Sequence, residues 1–306
     1  MLSFELTILG CSSATPTSSR HPTAQVLNVH ERFFLIDCGE AAQIQLRRFK
    51  IKIQRIDHIF ISHLHGDHYL GLPGLLGTMH LLGREKELHL YSPPGLKEII
   101  DTNHYHSKTF LNYDVEFHVL EGKSSARIFE DDKLTVETIP MNHRIPCYGF
   151  LFREKEPLRN IIKEKIEEYT IPIQQIHRIK TGEDFIAADG KRIANSELTL
   201  PPHPPRSYAY CSDTLYNESY IEQIKNVNLL YHEATFADNM MERAKETHHC
   251  TARQAGDIAK KAHAKQLIIG HYSARYRELD MLLTEAKQVF ENAVLAIEGE
   301  TYKVNG

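Results

Sequence analysis

The chain has 306 residues, 42% hydrophobic and 25% charged, with a formal net charge of −4. This is a globular composition, long enough for one large domain or two ordinary ones, and its acidic balance argues against binding nucleic acid by bulk charge. The five cysteines (Cys11, Cys38, Cys147, Cys211, Cys250) are scattered and form no C-x-x-C pair, which excludes a disulfide framework or a cysteine zinc site and points to a reducing cytoplasm. No basic residue precedes Arg20, so Leu9-Gly10-Cys11 is not read as a signal-peptide cleavage site. No apolar run approaches membrane-spanning length.

In chain order, Phe4-Glu5-Leu6-Thr7-Ile8-Leu9 alternates and meets Gly10, a strand entering a loop. Segments 25–29 and 33–37 read as strands paired through His30-Glu31-Arg32, and Ala42, Leu46 and Phe49 have helical spacing. A buried strand over 57–62 leads into a polar loop, followed by Gly71-Leu72-Pro73-Gly74 and a helix to about Leu82. Segment 88–91 is a strand, a helix starts near Leu96, and 115–120 and 134–139 are strands. Lys, Glu and Ile then dominate 153–169, which predicts an exposed amphipathic helix. Residues 152–206 as a whole read as an insertion projecting from the main body, ended by Pro201-Pro202-His203-Pro204-Pro205, because a structureless loop of that length is improbable. A strand re-enters at 208–212. Thr251-Ala252-Arg253-Gln254 has the form of a capping box and should open a helix to about Ala262, with a short strand at 266–269. Strands alternating with helices predict an α/β fold of sheets covered by helices.

The densest chemistry lies in His63-Leu64-His65-Gly66-Asp67-His68. Three imidazoles and a carboxylate are ligands that zinc and its neighbours accept. Gly66 allows a turn on which they converge, and four such groups are too many for one zinc with an open position, so two adjacent metals are expected. The same pattern, an apolar run followed at once by a ligand type, recurs at Asp213, at His232-Glu233, at His271 and, through Met141-Asn142, at His143. Strand ends are where loops converge in layered α/β proteins. His63, His65, Asp67, His68, His143, Asp213 and His271 therefore form a candidate seven-residue set, two metals sharing Asp213 having four ligands each. A lone histidine after a strand is more often an ordinary polar residue, and His89, His104, His106, His118, His177 and His263 are read so. Arg47-Arg48-Phe49-Lys50-Ile51-Lys52 and His177-Arg178-Ile179-Lys180 are read as solvated faces.

On His63–His68, the following Gly71-Leu72-Pro73-Gly74-Leu75-Leu76-Gly77, Tyr210-Cys211-Ser212-Asp213-Thr214, His232-Glu233-Ala234-Thr235-Phe236, His249-Cys250-Thr251 and His271-Tyr272-Ser273-Ala274-Arg275-Tyr276, the chain resembles the metallo-β-lactamase superfamily. Within it, the match is to the ribonuclease Z family of tRNA 3′-processing endonucleases, in the short form. The resemblance runs over nearly the whole chain. It implies an αββα metallo-β-lactamase sandwich spanning 1–306 with the inserted flexible arm at 152–206, and two Zn²⁺ per subunit, manganese or iron being chemically acceptable substitutes. One ion would sit on His63, His65 and His143, the other on Asp67, His68 and His271, with Asp213 bridging. It further implies a homodimer, precursor tRNA as the partner, and an arm that grips the tRNA elbow. Asp67 would accept a proton from water, and His249, oriented by Glu233, would protonate the leaving 3′ oxygen. Arg20, Arg178, Lys180, Ser273 and Arg275 are the expected substrate contacts.

Two departures stand out. The family's first-loop P-x-K-x-R-N is here Pro16-Thr17-Ser18-Ser19-Arg20-His21, and the Gly-Pro-rich arm tip is replaced by Ile171-Pro172-Ile173-Gln174-Gln175-Ile176. The competing expectations are another hydrolase on the same fold, acting on a small phosphodiester, a thioester or a lactone, and a non-hydrolytic di-metal redox protein.

Overall fold

In the computed structural model, which describes residues 3–306, the strands are β1 (Phe4–Gly10), β2 (Ala24–Val29), β3 (Arg32–Cys38), β4 (Ile56–Phe60), β5 (Leu88–Ser92), β6 (Val115–Val119), β7 (Arg127–Glu130), β8 (Leu134–Pro140), β9 (Tyr148–Glu154), β10 (Asn160–Ile161), β11 (Phe185–Ile186), β12 (Arg192–Ile193), β13 (Thr199–Leu200), β14 (Ser207–Cys211), β15 (Leu229–Glu233), β16 (Gln266–Gly270), β17 (Ala293–Leu295) and β18 (Thr301–Lys303). The α-helices are α1 (Ala42–Arg48), α2 (Gly66–Tyr69), α3 (Leu72–Leu81), α4 (Leu96–Ser107), α5 (Lys163–Glu168), α6 (Ile173–Lys180), α7 (Asn195–Leu198), α8 (Met241–Thr247), α9 (Ala252–Lys261) and α10 (Asp280–Lys287).

Two seven-stranded sheets, ordered β18-β1-β2-β3-β4-β5-β6 and β17-β16-β15-β14-β9-β8-β7, lie face to face. Phe34, Ile36 and Phe60 of the first meet Val136, Phe150, Phe152 and Tyr208 of the second in one buried cluster. The opposite face of the first sheet, with Leu35, Ile59 and Leu90, packs on Leu46, Leu75, Leu76 and Leu96 of the helices. Ala255, Ile258, Ala259, Leu282 and Ala286 of α9 and α10 belong to the cluster that covers the second sheet. This is the expected αββα layering. It explains why Phe34-Leu35-Ile36 is apolar without alternation, since both faces of the strand are covered.

β3 to β6 are mutually parallel, as are β14 to β17. Their carboxyl ends carry the polar residues of interest. The β2–β3 hairpin turns on His30 and Glu31, both at positive φ (50° and 66°), as in the tight primed turns that match strand twist. The capping box is present, with Thr251 Oγ1 accepting from the Gln254 amide and the Gln254 side chain accepting from the Thr251 amide.

The helix expected over 153–169 does not form as such. Arg153 and Glu154 continue β9, which pairs along its length with β8, and only Lys163–Glu168 is helical. Backbone pairing with β8 takes up Arg153 and Glu154, and tertiary pairing overrides the helix-forming composition. Residues 160–200 carry their own small core of Ile171, Ile179, Phe185, Ile193 and Leu198. At their root, buried Glu154 is bound by the Arg206 backbone amide (2.8 Å), its Nε (3.0 Å) and Nη2 (2.7 Å), and by His30 Nε2 (2.6 Å).

Candidate metal centre

β4 ends at Phe60 and the chain runs through Ser62 into the His63–His68 loop, whose last residues form the single turn α2. Gly71 makes the loop dock closely. Its amide donates to the Cys38 carbonyl (2.9 Å), and a Cβ there would stand 2.1 Å from the Gly39 carbonyl oxygen. Asp213 follows β14 and His271 follows β16, both with positive φ (57° and 58°). Asp37, the penultimate residue of β3, is a third such residue at 55°. Non-glycine residues rarely adopt this conformation, and their concentration at one point marks a site the fold over-determines.

All seven residues expected as ligands come together, in two groups. His63, His65, His143 and Asp213 form one group, and Asp67, His68 and His271 the other. In the first, His65 Nδ1 lies 3.0 Å from His63 Nε2 and 3.2 Å from His143 Nε2, and His63 Nε2 is 3.7 Å from Asp213 Oδ1. In the second, His68 Nε2 is 3.3 Å from Asp67 Oδ2, from His271 Nε2 and from Asp213 Oδ2. His271 Nε2 is 3.5 Å from Asp67 Oδ2 and 3.3 Å from Asp213 Oδ2. Asp213 thus turns one oxygen to each group. A tetrahedron with bonds of about 2.0–2.1 Å has edges of about 3.3–3.4 Å, so the donor atoms are spaced as ligands of two neighbouring ions.

The residues behind these donors fix their orientation. Asp37 Oδ2 accepts from His68 Nδ1 (2.8 Å), Ser62 Oγ (2.9 Å) and Tyr210 OH (2.6 Å), while Oδ1 accepts the Ser62 amide (2.7 Å). His143 Nδ1 donates to the His248 carbonyl (3.2 Å), and His271 Nδ1 meets Thr235 Oγ1 (3.0 Å). Such partners set the tautomer that leaves the other nitrogen free for a metal. Burial holds the imidazoles of His63, His65 and His143 below the usual histidine range, His143 at about 4, so each offers a lone pair. His68 is opposite: burial would lower it, but Asp213, Asp67 and Asp37 raise it well above that range. The donor set and its charge are compatible with a di-metal site.

Beside the two groups stands a third element. Glu233, fully buried at the end of β15, accepts from His249 Nδ1 (3.0 Å) and the Thr214 amide (2.8 Å) with Oε1, and from Thr235 Oγ1 (2.6 Å) and the Cys250 amide (3.1 Å) with Oε2. Burial would raise its carboxyl, but the charge and hydrogen bond of His249, with the charge of His271, hold it below the usual carboxylate range. Burial alone would lower His249 too, but the Glu233 carboxylate, with Asp213 and Asp67, raises it to about 9. The His249 ring lies 5.4 Å from His271 and 5.5 Å from His143, over both groups.

The expected substrate contacts are placed differently. Arg20 is largely buried, and its Nη2 donates to the Tyr276 carbonyl (2.6 Å), tying the first loop to the segment after His271. His21, where the family pattern has Asn, pairs through Nδ1 with Glu298 (2.7 Å). Ser273 Oγ accepts from Arg275 Nε (3.1 Å), and the Arg275 guanidinium lies 4.9 Å over Phe236. On the arm, Arg178 is engaged by Glu183 through Nε (2.9 Å) and Nη2 (2.6 Å), and Lys180 ends α6. Asp37 and Thr235 belong to the site although neither stands among the ligands expected from the sequence. Asp37 carried the same signal that marked Asp213, an acid at the end of an apolar run.

A ribonuclease Z of Bacteroides fragilis (strain YCH46) is 50% identical over 298 residues, 97% of this chain and 98% of that protein. One from Bacteroides thetaiotaomicron is 51% identical over 306 residues, covering 100% and 96%. The chain belongs to the ribonuclease Z family. Among solved structures, human tRNase Z, short form, superposes with a TM-score of 0.71 at 27% identity over 98% of this chain and 99% of that one. Residues 4–161 also match the family model described as Anti-Pycsar protein Apyc1, and over that stretch the chain belongs to that family too. The stretch includes His63–His68 and His143 but ends before Asp213, Glu233, His249 and His271. The ribonuclease Z likeness covers those four as well. Among the described residues, no helix is long and apolar enough to cross a membrane.

Proposed function

We propose that this chain is a zinc-dependent endoribonuclease that removes the 3′ trailer from precursor tRNA, leaving a tRNA 3′-OH and a 5′-phosphorylated trailer. The observation that carries this reading is the His249–Glu233 pair beside the two ligand groups (3.0 Å). Breaking the P–O3′ bond expels a poor alkoxide, and an imidazolium held charged by a buried carboxylate is suited to protonate it. With Nδ1–H committed to Glu233, the Nε2–H of His249 is left for the departing oxygen.

His63, His65, His143 and Asp213 would hold one zinc ion, and Asp67, His68, His271 and Asp213 the other. Such a pair, when bound, polarises the phosphate and lowers the pKa of the attacking water. Asp67, also bound by the Ala14 amide (2.7 Å), is the carboxylate placed to accept that proton. Alongside His143 runs an open cleft of about 830 Å³ lined by Lys123, Asn142, Arg144, Tyr148 and Tyr216, with two cations for a phosphate chain. Ser273 and Arg275 flank the loop after His271 and are the nearer candidates for further phosphate contacts. Arg20 acts through that loop, by holding it.

Residues 152–206 are the arm that engages the body of the tRNA, with Lys180 at the end of α6 offered to phosphate and Arg178 exchanging Glu183 for it. A homodimer would set each arm near the other subunit's centre. Five free, buried cysteines support a reducing, cytoplasmic setting. The test is cleavage of precursor tRNAs with and without encoded CCA by zinc-loaded protein, with the cut mapped. Cleavage immediately after the discriminator or CCA supports the proposal. Turnover of bis-p-nitrophenyl phosphate or a lactone with intact precursor tRNA would refute it.

A further inference from the structure

β6 is an outer strand of the first sheet, and there the sandwich carries a second convergence of imidazoles that shares no residue with the centre above. His58 is in register with His89, His89 with Glu116, and Tyr91 with His118 across β4, β5 and β6. Residues two apart on a strand share a face, so His89, Glu116 and His118 meet on one side. His89 Nδ1 lies 3.0 Å from Glu116 Oε2 and 3.2 Å from His118 Nε2, and His118 Nε2 is 3.8 Å from Glu116 Oε1.

The rings are held in place before any ligand arrives. His89 stacks on His58 with centroids 4.8 Å apart and planes 12° apart, and His118 stacks on Tyr91 at 4.3 Å and 12°. His58 in turn meets the edge of Phe129, on β7 of the facing sheet, at 4.7 Å. The side chains of His89 and His118 are 27% and 32% exposed, so an ion has a way in.

An ion pair between His89 and Glu116 accounts for one of these contacts but not for all three. A single proton on His89 Nδ1 must be shared between Glu116 and His118, whereas a cation among the three accepts a lone pair from each. His65 shows the same signature in the principal centre, its Nδ1 lying 3.0 and 3.2 Å from two other imidazole nitrogens.

We propose that His89, Glu116 and His118 form a further cation site that takes one first-row divalent ion of the zinc type, solvent completing the coordination. Two imidazoles and a carboxylate are a ligand set zinc accepts with a position left to water. Glu87 Oε2, 3.8 Å from His89 Nε2, adds negative charge nearby. The ion cross-links β5 to the outer strand β6 where the core between the sheets opens to solvent. Because the unfolded chain lacks the site, occupancy stabilises the fold.

The experiment compares the full-length chain with His118→Gln and Glu116→Gln after chelation, reloading with Zn²⁺ and dialysis, counting zinc per chain by mass spectrometry. The unsubstituted chain should retain one zinc more than either variant, and Zn²⁺ should raise its melting temperature further than theirs. Both variants should keep their RNA cleavage, which verifies that the fold and principal centre are intact. Equal zinc counts in all three proteins, with equal melting shifts, would overturn the site.

Discussion

A histidine that donates a proton to a departing alkoxide must be charged when the bond breaks and must be held to one geometry. His249 meets both conditions chiefly through Glu233, which fixes Nδ1–H at 3.0 Å, is itself held by three other donors, and with Asp213 and Asp67 keeps the ring charged. His249→Ala should therefore lower kcat for precursor tRNA by about 10²- to 10⁴-fold, while zinc content should stay unchanged if the two ions sit on the seven residues assigned to them. Undiminished cleavage would end its role as the acid. Asp37 offers a complementary case, acting through His68 rather than on substrate. Asp37→Asn keeps the shape but removes the charge that orients His68 Nδ1, and zinc affinity should fall by about 10–100-fold, measured by competition with a chelator. The contrast between Asp37 and Asp213 shows what was legible. Both end apolar runs, but Asp213 stands in a Ser-Asp-Thr element with a known counterpart, whereas Asp37 reads only as the last residue of the strand over 33–37. Only the distance to Ser62 and His68, 25 and 31 residues away in the chain, reveals it.

At the scale of elements, the metal loop depends on close backbone contact. A methyl group on Gly71 would meet the Gly39 carbonyl at 2.1 Å, and backbone cannot swing aside as a side-chain tip can. Gly71→Ala should destabilise the chain by about 1–3 kcal/mol, read from urea unfolding, and lower zinc occupancy along with it. Wild-type stability would show that the loop has slack. Strands with uninterrupted apolar runs and the capped helix α9 were readable because their signals are local. The helix expected over 153–169 failed for the converse reason. Whether Arg153 and Glu154 extend a strand is decided by β8 and by Arg206, 52 residues further on, and neither leaves a local trace. The three-residue strands β17 and β18 are too short to announce themselves, and His89, Glu116 and His118 come together only when β5 and β6 align.

The molecule as a whole joins a catalytic sandwich to a segment with its own core. β10 pairs with β13, so Asn160 and Leu200 are register neighbours and the root of the arm is narrow. The arm's cluster of Ile171, Ile179, Phe185, Ile193 and Leu198 is separate from both clusters of the body. Replacing residues 160–200 with a short Gly-Ser linker should therefore leave the sandwich folded and its metal centre intact, as well as the Glu154–Arg206 pair. Such a chain should hydrolyse bis-p-nitrophenyl phosphate at the wild-type rate, since a small diester needs only the centre. Its KM for precursor tRNA should rise about tenfold or more, a loss of about 1.4 kcal/mol or more of binding. A salt titration distinguishes lost phosphate contacts from a misplaced substrate. Each phosphate released from a cation lowers the steepness of log K against log salt by roughly 0.7–0.9. The shortened chain should show a slope shallower by at least one such step, because Lys180 and the Arg178 that Glu183 now holds are gone. An unchanged KM with an unchanged slope would mean that the arm does not touch the RNA, and that the cations beside His143 hold the tRNA alone.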